Sequence, residues 1–109
     1  MVKLLFVCSR NRWRSPTAER VFRDREGIDA RSAGTSPKAK RRISERDLDW
    51  ADLIFVMEKR HRTMIVERFG SQPNIVVLGI PDEYELMDPE LVEMLRVQVE
   101  AVLAERFGE

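Results

Sequence analysis

A short apolar segment, followed at once by a polar and cationic loop, constrains the fold more than any other feature of the sequence. Residues Val2–Val7 are apolar apart from Lys3, which predicts a strand buried on both faces, as in a parallel sheet. The loop Cys8–Arg14 comes next. Ser15 and Pro16 then favour a helix start, with Ser15 as the cap and Pro16 at the first helical position. Strand, loop and helix in this order predict an α/β unit.

The rest of the chain repeats this alternation. The predicted strands are Ile28–Ala33, Leu53–Met57 and Ile75–Leu78, and the predicted helices run from Ser15 to about Glu26, from the Ser44 cap to Trp50, from Lys59 to Phe69, and onward from Asp88-Pro89. Such alternation predicts a three-layer α/β sandwich of the flavodoxin-like type, with a four-stranded parallel sheet and helices on both faces. We expect one domain over residues 1–109.

Composition limits the functional classes. The 109 residues include 19 basic and 19 acidic side chains, so net charge gives no support for binding nucleic acid. No apolar run approaches the length that crosses a bilayer, and we expect a cytoplasmic protein without a membrane partner. The single cysteine excludes an internal disulfide, and one Cys with one His does not give the spacing of a metal site.

The Cys8–Arg14 loop has the chemistry of a phosphate site. Successive N–H groups in a tight loop, next to a helix N-terminus, form an anion-binding nest, and a guanidinium grips two phosphate oxygens at once. The same positive field is expected to favour the thiolate of Cys8, which is a nucleophile, and Ser15 is placed to donate a hydrogen bond to its sulfur. The candidate phosphate-binding residues are Ser9, Arg10, Asn11, Arg12, Trp13, Arg14 and Ser15.

The segment from Phe6 to Glu19, which contains Cys8, five intervening residues, Arg14 and Ser15, resembles the signature of the low-molecular-weight protein tyrosine phosphatases and their arsenate reductase relatives. Residues 32–35, residues 52–57 and Pro81-Asp82 are similar to further segments of that family. The resemblance covers nearly the whole chain, although the chain is shorter than a typical member.

The resemblance implies a metal-independent phosphomonoesterase that needs no cofactor. Its substrate would be a phosphorylated protein, such as one carrying phosphotyrosine, or a small aryl phosphate. Cys8 would form a phosphocysteine, Arg14 would stabilise the transferred group, and Asp82 would be the general acid and then the general base. Two alternatives stay open: an arsenate reductase that uses an external thiol, and a non-catalytic phosphate-binding module. The sequence leaves the oligomeric state open.

The sequence departs from the family in three places. The segment from Ser36 to Arg42 replaces a longer stretch that helps to wall the family's pocket. Trp13 stands where many members have a second cysteine, so a disulfide with Cys8 is impossible. The family's acid loop reads Asp-Pro, whereas Asp82 is followed by Glu83, and Asp88-Pro89 supplies such a pair six residues later. We expect Asp82 to be the acid because Pro81 precedes it, with Asp88 as the alternative.

Other charged residues allow two interpretations each. Arg10 and Arg12 either attract an acidic substrate or are solvated loop charges, and Trp13 is expected to wall the pocket. The run of basic residues at 38–42 is interpreted as a solvated face rather than a nucleic-acid site. His61 is expected to face solvent, because Lys59, Arg60 and Arg62 surround it in sequence.

Overall fold

Strands and helices alternate along the chain in the computed structural model, which describes residues 1–108. The elements are β1 (Val2–Cys8), α1 (Arg14–Phe22), β2 (Ile28–Gly34), α2 (Glu45–Trp50), β3 (Leu53–Val56), α3 (Lys59–Phe69), β4 (Ile75–Val77) and α4 (Pro89–Phe107). The four strands form one sheet in the order β2-β1-β3-β4, and every pairing is parallel. The predicted α/β fold with a four-stranded parallel sheet is confirmed.

The central strands are buried because each face of the sheet has its own core. Leu4 and Phe6 of β1 pack on one face with residues of α1 and α4, while Leu5 and Val7 pack on the other face with residues of α2 and α3. Side chains of a strand alternate between the two faces, so a strand covered on both sides is apolar throughout. This explains the unbroken apolar segment and gives the three layers.

The sheet topology fixes where a ligand can bind. The chain leaves β1 toward one side of the sheet for β2 and returns past β1 to place β3 on the other side, so the strand order reverses at β1. In open parallel sheets, ligands bind at the carboxyl ends of the strands beside such a switch point. Cys8 lies at the carboxyl end of β1, where it pairs with Gly34.

Two helix starts follow their sequence signals. Ser44 caps α2 and forms a reciprocal capping box with Asp47, although Glu or Gln is usual at that position. The Asp88 carboxylate accepts a hydrogen bond from the Glu90 N–H at 2.9 Å and caps α4, with Pro89 in the first turn. Both caps confirm the predictions made for these helices.

The first helix differs from its prediction at both ends. Helix α1 begins at Arg14 rather than after a Ser15 cap, its N-cap Trp13 makes no side-chain cap, and it ends at Phe22 instead of continuing to about Glu26. The prediction of Ser15 as a cap is wrong because its hydroxyl is engaged in the interior of the site. Among residues 1–108, no helix has the length and apolar character required to cross a membrane.

Candidate active site

In the loop after β1, the first carbonyl oxygens accept hydrogen bonds while the amide hydrogens have no backbone partner. The Cys8 carbonyl accepts from the Thr35 N–H at 3.0 Å, the Ser9 carbonyl from the Ser36 N–H at 2.9 Å, and the Arg10 carbonyl from the Lys40 N–H at 3.0 Å. Within residues 1–108, the N–H groups of residues 9–13 have no backbone acceptor. A run of free amides that leads into the first turn of α1 has the form of an anion-binding nest.

The Cys8 sulfur is buried and bonded to a hydroxyl. Its Sγ lies 3.0 Å from Ser15 Oγ, and Cys8 is 3% exposed. Asn11 Nδ2 donates to the same Ser15 oxygen at 2.9 Å, so the single hydroxyl hydrogen of Ser15 goes either to the sulfur or to the Ala33 carbonyl oxygen at 3.3 Å. A thiolate at Cys8 has no hydrogen to donate, so in that state Ser15 donates to Sγ and stabilises its negative charge.

A series of hydrogen bonds leads from Ser15 to the carboxylate of Glu19. Asn11 uses the other hydrogen of its amide to donate to Ser32 Oγ at 2.9 Å, and Ser32 in turn donates to Glu19 Oε1. Since a carboxylate only accepts, Glu19 fixes the direction of every bond from Ser32 through Asn11 to Ser15. Asn11 is held with φ of 55°, a left-handed conformation that Asn tolerates better than most residues.

Arg14 is almost completely buried, with 2% of its surface exposed. Its Nη1 donates to Glu58 Oε2 and, at 2.9 Å, to the carbonyl oxygen of Ile80. Glu58 also accepts from Arg60, and these two guanidinium groups lower the pKa of Glu58 to about 2 against the opposing effect of burial. These bonds hold the positive charge of Arg14 in place. Within residues 1–108 no partner bonds to its Nη2, which is therefore available to a ligand.

Asp82 lies across from the cysteine loop. Its Oδ1 is 3.7 Å from Arg14 Nε, and about half of its side chain is exposed. Cys8, Ser9, Arg10, Arg12, Trp13, Arg14 and Asp82 line one cavity of about 260 Å³. Asp88 does not line this cavity, because its carboxylate caps α4.

The expectation that His61 faces solvent is wrong. His61 is fully buried in the first turn of α3, where Nδ1 accepts the Glu58 N–H at 3.0 Å and Nε2 contacts Ser9 Oγ at 2.9 Å. Because Nδ1 is an acceptor, Nε2 carries the hydrogen and donates to Ser9. Burial, followed by the nearby charges of Arg14 and Arg60, lowers the pKa of His61 to about 4. A neutral imidazole thus ties α3 to the cysteine loop.

The structure brings most of the candidate residues together. Ser9, Arg10, Arg12, Trp13 and Arg14 line the cavity with Cys8, while Asn11 and Ser15 lie buried beneath it. The sequence did not single out three residues that support the site: Ser32 lies in β2, Glu58 is the N-cap of α3, and His61 lies in its first turn. Glu58 carried one usable signal, since it follows the third buried strand and therefore lies at the same edge of the sheet as Cys8.

Comparisons with known proteins agree with this geometry. Residues 3–46 match the family model described as low molecular weight phosphotyrosine protein phosphatase. A protein-arginine-phosphatase from Geobacillus stearothermophilus is 31% identical, and the match covers 62% of this chain and 62% of that protein. The chain thus matches less than two thirds of the length of this curated relative.

Solved structures share the fold. The YwlE mutant from Bacillus subtilis is 25% identical with a TM-score of 0.70, and the superposition covers 94% of this chain and 99% of that one. SP-PTP, a low molecular weight protein tyrosine phosphatase from Streptococcus pyogenes, has a TM-score of 0.76 at 20% identity and covers 98% and 94% respectively. The match over residues 3–46, the shared fold and the geometry around Cys8 make this chain similar to the low molecular weight phosphotyrosine protein phosphatases.

Proposed function

We propose that this protein is a metal-independent phosphomonoesterase that acts on phosphorylated proteins through a phosphocysteine at Cys8. One observation carries the proposal: Cys8 and Arg14 line one cavity together with the loop residues Ser9, Arg10, Arg12 and Trp13, whose amides have no backbone acceptor. This combination binds a phosphate dianion and presents a nucleophile to it. The names of the curated relative and of the matched family support the same reaction class.

In the first step, the Cys8 thiolate attacks phosphorus while the bond from phosphorus to the leaving oxygen breaks. Asp82, as the carboxylic acid, gives its proton to that oxygen. Arg14 and the loop amides hold the equatorial oxygens of the transferred group, where charge is spread in the transition state. All of these groups belong to the chain, so we propose no cofactor.

In the second step, water attacks the phosphorus of the phosphocysteine. Asp82, now the carboxylate, takes a proton from the water, and the bond from phosphorus to sulfur breaks. The sulfur leaves as a thiolate, and the hydroxyl of Ser15 at 3.0 Å stabilises it as a leaving group. Phosphate is released and the enzyme returns to its starting state.

Asp82 is the general acid in this proposal, rather than Asp88. Asp82 lines the cavity and is partly exposed, so it can approach a leaving group bound above Cys8. The Asp88 carboxylate is used by the Glu90 N–H and lies outside the cavity lining. The prediction that Asp82 supplies the acid therefore has support from position.

We propose phosphotyrosine as the phosphorylated residue. Trp13 is 37% exposed and lines the cavity, where its indole supplies aromatic surface next to the phosphate site. Phosphoarginine is the second candidate, favoured by the name of the curated relative. Arg10 and Arg12 in the same wall oppose the positive charge of a guanidinium leaving group. A cytoplasmic location fits a reactive thiol, because that compartment keeps thiols reduced.

The test is hydrolysis of para-nitrophenyl phosphate and phenyl phosphate by purified protein. Cys8→Ser should abolish turnover, and Asp82→Asn should lower kcat by about 10²–10⁴, more for phenyl phosphate because its leaving group needs the proton more. Asp88→Asn is the matched control, since Asn also caps helices, and it should stay within about twofold of wild type.

Other results would redirect the assignment. Full activity in Cys8→Ser would exclude the phosphocysteine mechanism. A large loss in Asp88→Asn with none in Asp82→Asn would transfer the acid role to Asp88. Faster hydrolysis of a phosphoarginine peptide than of the matched phosphotyrosine peptide would reverse the substrate order. Phosphate binding without turnover of any of these esters would indicate a non-catalytic module.

A further inference from the structure

The basic segment from Ser36 to Lys40 is fixed against the cysteine loop. The Ser36 N–H donates to the Ser9 carbonyl at 2.9 Å, and the Lys40 N–H donates to the Arg10 carbonyl at 3.0 Å. The backbone at both ends of this short segment is therefore bonded to consecutive residues of the loop that carries the nucleophile. Lys38 and Lys40 are held at the rim of the site, and both side chains are exposed.

A second cavity adjoins the catalytic one at this rim. Arg12, Trp13, Lys38, Lys40 and Leu86 line it, and its volume is about 350 Å³. We call this cavity the basic groove. The basic groove shares Arg12 and Trp13 with the catalytic cavity, so these two side chains border both spaces. A peptide bound at the phosphate site needs to pass only these two side chains to reach the basic groove.

The positive charges of the groove are not neutralised by the protein. Arg12, Lys38 and Lys40 form no salt bridge within residues 1–108, and the lining of the groove contains no carboxylate. The guanidinium of Arg12 instead lies 5.0 Å from the centroid of the Trp13 ring. By contrast, Arg41, one residue after Lys40, is paired with the buried carboxylate of Asp47. The basic run therefore divides into a structural part and an unpaired part that faces the site.

We propose that the basic groove binds acidic side chains that flank the phosphorylated residue, so that the preferred substrate is an acidic phosphopeptide segment of a protein. This inference rests on the proposed function for its phosphate end. Converging cations raise the local concentration of an anionic ligand and lower its dissociation rate. Trp13 and Leu86 supply apolar surface between the charges, which suits the methylene groups of a Glu side chain.

A peptide fits the groove better than a nucleic acid does. The groove is lined by three cations and is confined to one end of the sheet, while the whole chain has no net charge. Nucleic-acid sites extend such charge along a face or a helix. A short acidic peptide needs only the few contacts present here.

The experiment compares two phosphotyrosine peptides that differ only in having Glu or Gln at the two positions on each side of the phosphorylated residue. We expect kcat/KM for the Glu peptide to exceed that for the Gln peptide about tenfold at low salt, and the ratio to fall as salt rises. Lys38→Ala combined with Lys40→Ala should reduce the ratio to about twofold or less. Hydrolysis of para-nitrophenyl phosphate, which is too small to reach the groove, should be unchanged in this double variant.

The matched control removes two exposed positive charges from the opposite end of the molecule, as Lys3→Ala with Arg106→Ala. It changes net charge equally and should keep the tenfold ratio. Equal kcat/KM for the two peptides in wild type, or an equal loss of the ratio in the control, would overturn the proposal. Stronger inhibition by a single-stranded oligonucleotide than by the unphosphorylated Glu peptide would also overturn it in favour of nucleic acid.

The two proposals fail in different ways. Wild-type protein that hydrolyses neither para-nitrophenyl phosphate nor either peptide would refute the proposed function alone. The groove is then tested by fluorescence anisotropy of both peptides with Cys8→Ser protein. Tighter binding of the Glu peptide that depends on Lys38 and Lys40 supports the inference, and equal binding refutes it.

Discussion

Gly34 is the position where one added methyl group would reach the catalytic loop most directly. A Cβ at Gly34 would lie 2.5 Å from the Ala39 Cβ and 2.6 Å from the Ser9 carbonyl oxygen. Both distances are below the contact distance of such atoms, so Gly34→Ala forces the cysteine loop and the segment around Ala39 apart. Gly34 also donates to the Arg41 carbonyl at 2.8 Å, which restricts how far β2 can move to relieve the contact.

The expected cost follows from overpacking. An extra methyl group in a closely packed site costs about 1–3 kcal/mol of unfolding free energy. For a domain of this size, each kcal/mol lowers Tm by about 4–8 °C, so we expect Tm to fall by about 4–24 °C in Gly34→Ala. Displacement of the Ser9 carbonyl also misplaces the adjacent amides, and kcat/KM for para-nitrophenyl phosphate should fall at least tenfold, since a misplacement of about 1 Å can cost about 10²-fold.

Scanning calorimetry and the aryl phosphate assay check both effects. Ala39→Gly, added to Gly34→Ala, removes the nearer of the two close contacts and leaves the one with Ser9. This double variant should recover part of the lost Tm, more than the sum of the single substitutions predicts. Wild-type Tm and wild-type kcat/KM in Gly34→Ala would refute the reasoning.

Three further predictions concern the residues that support the loop. The pKa of His61 is about 4 in the folded protein and 6.5 ordinarily, so the unfolded chain binds more protons between these pH values. The unfolding free energy should therefore fall as the pH drops from 6.5 to 4, by at most about 3 kcal/mol. In urea titrations, His61→Gln should flatten this dependence on pH, and an unchanged dependence would contradict the assignment. Asn11→Gly should lower the unfolding free energy by about 2 kcal/mol through the loss of two hydrogen bonds. Asn11→Ala should lower it by about 1–2 kcal/mol more, because Ala is strained in the left-handed conformation. Equal losses in denaturant unfolding would show that the positive φ of residue 11 does not affect stability. Thr17 donates to the Trp13 carbonyl and accepts a hydrogen bond from the Met87 N–H at 2.9 Å. Thr17→Val should therefore lower the unfolding free energy by about 1–2 kcal/mol. A Tm equal to that of wild type would show that these two hydrogen bonds do not stabilise the fold.

The fold was predictable from the sequence to the extent that burial leaves a local signal. Leu4–Val7 and Leu53–Val56 are buried on both faces, and an unbroken apolar run records that directly. The limits of α1 were not predictable, because a serine before a proline has the same local signal whether it caps a helix or bonds to a sulfur. The choice depends on Asn11 and Cys8, which reach Ser15 only after the loop has closed.

The residues of the site likewise divide into those with a local sequence signal and those without one. Cys8 and Arg14 are joined by one short loop, so their spacing alone predicts that they meet at one anion. Glu58 and His61 reach that loop from the start of α3, more than forty residues away in sequence. Their neighbours are basic, which suggested a solvated helix start, and only the parallel sheet brings this turn against the Cys8 loop. No local pattern records such a contact.

Burial separates the residues that perform the proposed chemistry from those that select the substrate. Cys8, Arg14 and Ser15 are at most 3% exposed and are held by bonds to other buried groups. Trp13 is 37% exposed, and about half of the Asp82 side chain is accessible. In the proposed mechanism, the groups fixed by packing contact the phosphate, which is common to all substrates, and the exposed groups contact the part of the substrate that differs. Substitutions at Ser15 should therefore lower kcat/KM for every ester by a similar factor, whereas Trp13→Ala should change the ratio of phosphotyrosine peptide to para-nitrophenyl phosphate. A uniform loss in Trp13→Ala across both substrates would show that the wall supports the loop and does not select.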